Sequence, residues 1–234
     1  MQATMVVRGR VDAASLRPDQ VATRLKAYAL LRALNAELLT HDSATLTLER
    51  WCEVRRLASP ARIVAERLRC PHVEPSIEQR QLLGVSASDP IRYRRVRLRC
   101  GDRVMSDAHN WYVPARLTAT MNRELDTTDV SFGRVVRSLN FRRRTLSSRL
   151  LWWPFFPART ADEGLGPDRA RPVIPLHVLE HHAVLTRADG MPFSCLVETY
   201  TREVLASPEP QRRRTVEAND SIAAGAAVSL APAA

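Results

Sequence analysis

Apolar residues recur at intervals of three and four from Pro18 to Leu39, at Val21, Leu25, Tyr28, Leu31, Leu34 and Leu38. That spacing puts them on one stripe and predicts an amphipathic helix facing a core. His41-Asp42-Ser43 follows, with short oxygen-bearing side chains suited to cap a second helix running through Leu46 and Leu48 to Trp51. The period then falls to two. Arg62 to Arg69 alternates, with Val64 and Leu68 on one face and Ile63 and Ala65 on the other, which predicts a strand. Cys70 to Asp89 contains Pro71, Pro75 and Gly84 and reads as a connection with at most a short helical turn. Ile91 to Cys100 and Val104 to Val113 are two further strands, joined as a hairpin by Gly101-Asp102. Pro114 is expected to open a helix through Leu117 and Met121, and Asp129 to cap another carrying Phe132, Val135, Val136 and Leu139. A last hairpin joins Leu179–Arg187 to Met191–Thr201 across Ala188-Asp189-Gly190.

Hairpin-linked strands among helices, without a repeated βαβ alternation, predict an α+β fold: an antiparallel β-sheet with helices packed on it. The periodic region spans residues 16–205 and reads as one domain. Residues 1–15 show no period and are expected to be a flexible N-terminus. Residues 206–234, rich in Pro, Ala and Ser, are expected to be a disordered tail. The aromatic patch Trp152-Trp153-Pro154-Phe155-Phe156 and the polar loop after it look like an insertion at about 151–175, and the patch itself like a packed flap or subunit contact.

Composition narrows the function. The chain has 234 residues, 45% of them hydrophobic and 26% charged, which suits one domain with a real core. No apolar run reaches the ~18–20 residues that cross a bilayer, and Met1 to Arg10 lacks a secretory signal. The expectation is a cytoplasmic protein without a membrane partner. Cys52, Cys70, Cys100 and Cys195 stand far apart, so they read as reduced, mostly core cysteines and not as a zinc or redox motif. A net charge of +10 invites a nucleic-acid reading, but Lys26 is the only lysine and the arginines are dispersed, apart from Arg142–Arg144 and Arg212–Arg214. No helix-turn-helix, zinc-finger or aromatic-basic signature accompanies them, so nucleic acid is not an expected partner. Phosphate loop, dinucleotide fingerprint and serine-hydrolase elbow are also missing from the sequence. No cofactor and no metal are expected.

Four stretches in a fixed order carry a family resemblance. They are Leu38-Leu39-Thr40-His41-Asp42-Ser43-Ala44-Thr45; Tyr93-Arg94-Arg95 through Arg99-Cys100-Gly101-Asp102; Val113-Pro114 followed by Ser131-Phe132-Gly133-Arg134; and Asp189-Gly190-Met191-Pro192 through Leu196-Val197-Glu198-Thr199-Tyr200. Together the chain resembles the chorismate pyruvate-lyase family, whose fold is shared with the effector-binding (UTRA) domains of GntR-type regulators. The resemblance implies a cofactor-free lyase that cleaves chorismate, or a close relative, to a 4-hydroxybenzoate-type acid and pyruvate, a step of ubiquinone biosynthesis. It places the substrate-binding arginine on Arg95 and the site glutamate on Glu198. The other two binding positions fall on Ala44 and Phe132, where the family has Met and Leu and acts through backbone N–H groups. An arginine fork suits a carboxylate. A glutamate in an apolar strand suits a proton-transfer role.

Other readings stand beside these. Arg95, Arg97 and Arg99 alternate onto one strand face, the pattern of a solvated surface. Glu198 could be a carboxylate paired with a nearby arginine. His181 and His182 stand where family members carry arginine; a ligand contact and a structural role are both open. Asn110 replaces a family arginine, which removes a positive charge near the site. The alternative to a lyase is a non-catalytic protein that binds or senses a small aromatic acid.

Overall fold

A computed structural model of the chain describes residues 17–155 and 174–207. The expected N-terminal segment 1–15, nearly all of the 206–234 tail and most of the 151–175 insertion lie outside the described residues.

The strands are β1 (Ile63–Arg67), β2 (Arg92–Cys100), β3 (Arg103–Tyr112), β4 (Arg142–Leu150), β5 (His177–Thr186) and β6 (Pro192–Thr201). They form one antiparallel sheet in the order β1-β2-β3-β6-β5-β4. The helices are α1 (Pro18–Thr40), α2 (Ala44–Val54), α3 (Ile77–Leu83), α4 (Ala119–Thr127) and α5 (Phe132–Val135). The fold is α+β, an antiparallel sheet with helices packed on it. Gly101 and Gly190 turn the two hairpins at φ of +56° and +82°, a region where a Cβ is costly. The two hairpins meet at the β3–β6 pairing, which leaves β1 and β4 as the edges.

Each strand sorts its side chains by parity. On β2, Arg94, Val96, Leu98 and Cys100 are buried, while Tyr93, Arg95, Arg97 and Arg99 are not. The buried face, here called the inner face, carries α1, α2 and α4. Leu31, Leu34 and Leu38 of α1 join Leu48 and Cys52 of α2 over Ile63, Ala65, Leu98 and Tyr200. A fully buried leucine contributes on the order of 1.5–3 kcal/mol, so three in one helix are enough to dock it. A second inner cluster gathers Met121 and Leu125 of α4 with Val135, Val136, Leu185, Phe193 and Leu196. On the outer face, α3 covers β6 through Leu83 and Cys195. Among the described residues no helix is long and apolar enough to cross a membrane.

Four expectations need correction. Only the second half of α1 enters the core; Leu25 is 47% exposed. Pro114 opens a single 3-10 turn, Pro114–Arg116, after which Thr118 caps α4 by accepting from the Met121 N–H at 3.1 Å. The helix expected after Asp129 begins instead after Ser131 and lasts four residues, because Gly133 and the branched Val135-Val136 pair favour helix poorly and Asn140 turns left-handed at φ +47°. Strand β4 was not expected at all, since its run of arginines reads as a charge cluster. The aromatic patch divides: Trp152 is buried in the main cluster, and Trp153 lies against Tyr28 of α1 at 5.6 Å between ring centroids. Phe156 lies outside the described residues.

Candidate functional site

The two inner clusters do not close completely on each other. At their seam lies a cavity of about 50 Å³, bounded by Val96, Leu98 and Ala108 on one side and Leu185, Leu196 and Phe141 on the other. Three elements bring polar groups to it. Ser43 ends the α1–α2 loop and caps α2 by accepting from the Leu46 N–H at 3.3 Å, so Ala44 and Thr45 reach the cavity at the start of a helix, where N–H groups lack helical partners. Gly133 lies so close to this cap that a Cβ there would stand 3.3 Å from Ser43 Oγ. Strands β4 and β6 contribute Arg143 and Glu198.

Arg143 and Glu198 form the electrostatic centre. Arg143 Nη2 donates to Glu198 Oε2 at 2.6 Å, with side chains only 3% and 8% exposed. Tyr200 Oη donates to the same oxygen at 3.0 Å. Burial works against the arginine's charge, but the facing carboxylate more than offsets it, and the Arg143 pKa is raised. Burial also drives the Tyr200 phenol well above its usual range, so it stays a donor. His181 lies beside the pair, its ring 5.5 Å from that of Tyr200. Its Nε2 is 2.7 Å from Asn35 Oδ1, and burial, together with the Arg143 charge, pushes its pKa down to about 4 against the opposing pull of Glu198. His181 is therefore neutral at pH 7, its Nδ1 buried with no hydrogen-bond partner among the described residues, while His182 is exposed and 3.3 Å from Glu180. At the cavity mouth the Arg143 backbone N–H donates to Asp42 Oδ1 at 2.8 Å, tying the α1–α2 loop to β4.

Three of the four residues named from the sequence, Ala44, Phe132 and Glu198, line this one cavity. Arg95 does not. It stands on the outer face of β2, where it donates twice to Asp107, at 3.0 and 2.8 Å. The reason is parity: a shift of one residue along a strand exchanges its faces, and here Arg94 is the inward arginine. The cation of the cavity is Arg143, which sequence reasoning left in a charge cluster. Its signal was a stretch of strand length, Phe141 to Leu150, free of Gly and Pro. Asn110 also lines the cavity, its Oδ1 accepting from Ser194 Oγ at 2.6 Å. Among the described residues no group of three or more His, Cys, Asp or Glu side chains could hold a metal ion.

Comparison with known proteins leaves the chemistry to this geometry. No family model matches the chain. Similar solved structures include PhnF from Mycobacterium smegmatis, at 14% identity and TM-score 0.46, with 70% of this chain and 65% of that one covered. The chain thus spans less than two thirds of PhnF. A GntR-family transcriptional regulator from Enterococcus faecalis V583 is similar at 11% identity and TM-score 0.38, with 58% and 92% covered. In sequence, the chain is 52% identical over 195 residues to the uncharacterized protein y4mC of Sinorhizobium fredii (strain NBRC 101917 / NGR234), covering 82% of each. Identity of that level over most of both chains means that this protein belongs to the y4mC family.

Proposed function

We propose that this protein binds a small organic anion, of the size and chemistry of an aromatic carboxylic acid, in the cavity between the two inner clusters, and responds by changing conformation and not by turnover. The observation that carries this reading is the buried Arg143–Glu198 pair. A cavity of about 50 Å³ holds a few waters at most, well below the ~300 Å³ of ordinary ligand pockets. A ligand must therefore make room. The direct way is for its carboxylate to take the place of Glu198 on the Arg143 guanidinium, with its ring entering the apolar seam beside Phe132 and Phe141. Glu198 retains Tyr200 as a partner. Entry also strains the Asp42 link at the mouth, so binding is coupled to movement of the α1–α2 loop against β4.

A panel of small aromatic acids, followed by thermal shift and calorimetry, tests the reading. At least one should raise the melting temperature, and Arg143→Met should abolish the response. Glu198→Gln weakens the internal competitor for Arg143 and should tighten binding. No response to any acid, or a response indifferent to Arg143, would end the proposal.

The lyase reading stands second, supported by the meeting of Ala44, Phe132 and Glu198 in one cavity. In it Arg143 takes the anchoring role expected of Arg95, and Glu198 engages the ring hydroxyl. Chorismate incubated with purified protein should then yield pyruvate, and Glu198→Gln should lower turnover by roughly 100-fold. Intact chorismate at high protein concentration would eliminate this reading and leave the first untouched.

A further inference from the structure

β1 stops at Arg67 and, after the Leu68 N–H has donated to the Arg95 carbonyl, β2 continues from Arg95 to Arg92 paired only with β3. A cleft of about 610 Å³ opens at this edge, within the usual range for small-molecule sites. Its lining holds four arginines, Arg67, Arg69, Arg94 and Arg95, against one carboxylate, Asp129. Two of the four are held by the protein itself: Arg95 is neutralised by Asp107, and Arg67 spends Nη1 on the backbone oxygen of Asp126 at 2.8 Å. That carbonyl is neutral and leaves the charge of Arg67 uncompensated. Arg69 is exposed.

Arg94 is the decisive residue. It is 4% exposed, yet among the described residues no carboxylate lies within ion-pair distance of it. Only Nη2 has partners, the carbonyls of Thr128 and Val130 at 3.4 and 3.2 Å, and both contacts are long. Nε and Nη1 are buried with no hydrogen-bond partner. A charge withdrawn from water without a counter-ion is among the most unfavourable arrangements in a folded protein. Burial is the main cost, Arg67 adds repulsion, and Asp129 and Asp126 oppose it only from beyond ion-pair distance, Asp126 being paired to Arg92.

We propose that this edge cleft is a second ligand site, distinct from the inner cavity, that takes a phosphate-bearing small molecule whose oxyanion supplies the counter-ion missing from Arg94. A doubly charged oxyanion suits a cleft lined by several guanidinium groups better than a single carboxylate does. Arg69 provides the rim charge. Tyr93 and His72, edge-to-face at 6.1 Å, form an aromatic wall of the same cleft for the rest of the molecule.

The test titrates inorganic phosphate and pyrophosphate against chloride at matched ionic strength. Phosphate and pyrophosphate should raise the melting temperature, by an amount on the order of 5 °C at saturation. Arg94→Met should remove that response without lowering the melting temperature in chloride, since it deletes an unpaired charge. Arg69→Gln, at an exposed position, should weaken pyrophosphate binding by roughly tenfold and leave the chloride baseline unchanged. If Arg94→Met does not fold, the Arg69→Gln titration alone decides. The proposal is overturned by a response equal to that of chloride, or by one that survives both variants. It is equally overturned if the double replacement Arg143→Met with Glu198→Leu, which removes the inner pair without leaving a buried charge, abolishes the response, which would put the anion in the inner cavity. Tighter binding of a 20-nucleotide single strand than of pyrophosphate would replace the small-molecule site with a nucleic-acid surface.

Discussion

Arg143 and Arg94 are both buried arginines on the inner face of one sheet, and their surroundings are opposite. Arg143 lies beside a carboxylate that accepts from it at 2.6 Å, in a cavity of about 50 Å³. Arg94 has two long carbonyl contacts, no carboxylate partner among the described residues, and a cleft twelve times larger at its side. The difference teaches how a fold handles a withdrawn charge. An internal counter-ion lets the protein close over the pair, and a ligand then enters only by exchange. Without one, the buried charge stays unbalanced unless a ligand supplies the counter-ion.

Removing the counter-ion from Arg143 should have the largest effect. Glu198→Leu leaves a buried, unpaired guanidinium and should cost about 3–5 kcal/mol, roughly 6–20 °C in melting temperature for a domain of this size. The double replacement Arg143→Met with Glu198→Leu should recover much of that loss. Urea denaturation of the three proteins measures it, and a double variant no better than the single would show that the pair contributes packing and not charge balance.

Next comes the pH dependence of the same neighbourhood. The His181 pKa falls from 6.5 to about 4 on burial, so the folded state binds fewer protons there than the unfolded chain. Stability from this residue is complete above pH 6.5 and is lost as pH falls towards 4, by about 3 kcal/mol at most. His181→Gln should flatten the unfolding midpoint between pH 4 and 6.5. An unchanged profile would move the acid sensitivity elsewhere.

Gly133→Ala sharpens the comparison at the cavity wall. Its Cβ would press on Ser43 Oγ at 3.3 Å, against the α2 cap. The helix propensity gained by Ala offsets that pressure, so stability should change by less than about 1 kcal/mol, with weaker binding of any acid in the inner cavity, measurable by calorimetry. The smallest effect should come from Arg95→Ala. Its pair with Asp107 is partly exposed, 35% on the arginine side, and should be worth less than ~1 kcal/mol. Acid binding in the inner cavity should not change. A large loss of that binding would restore Arg95 to the role that the sequence resemblance assigned to it.

The pattern of apolar positions was enough to read α1, α2, five of the six strands, both hairpin turns and the α+β class. These elements are encoded locally: by period, by Ser43 as a cap, and by Gly101 and Gly190 where the backbone turns left-handed. Ala44, Phe132 and Glu198 were also legible, through the order of short motifs. What failed was whatever depends on the neighbour across the sheet. Arg142 to Arg144 look alike in sequence, yet only Arg143 turns inward, because its register with Leu185 places it on the face that Glu198 shares. Arg94 and Arg95 are adjacent and identical, and the pairing of β2 with β3 sends one into the protein and the other outward to Asp107. The sequence by itself determined α1, α2 and five of the strands, because those choices are made within a few residues. Which arginine is buried, and whether it meets a carboxylate, was decided only by the tertiary register, because a side-chain period of two lets a one-residue offset exchange inside for outside.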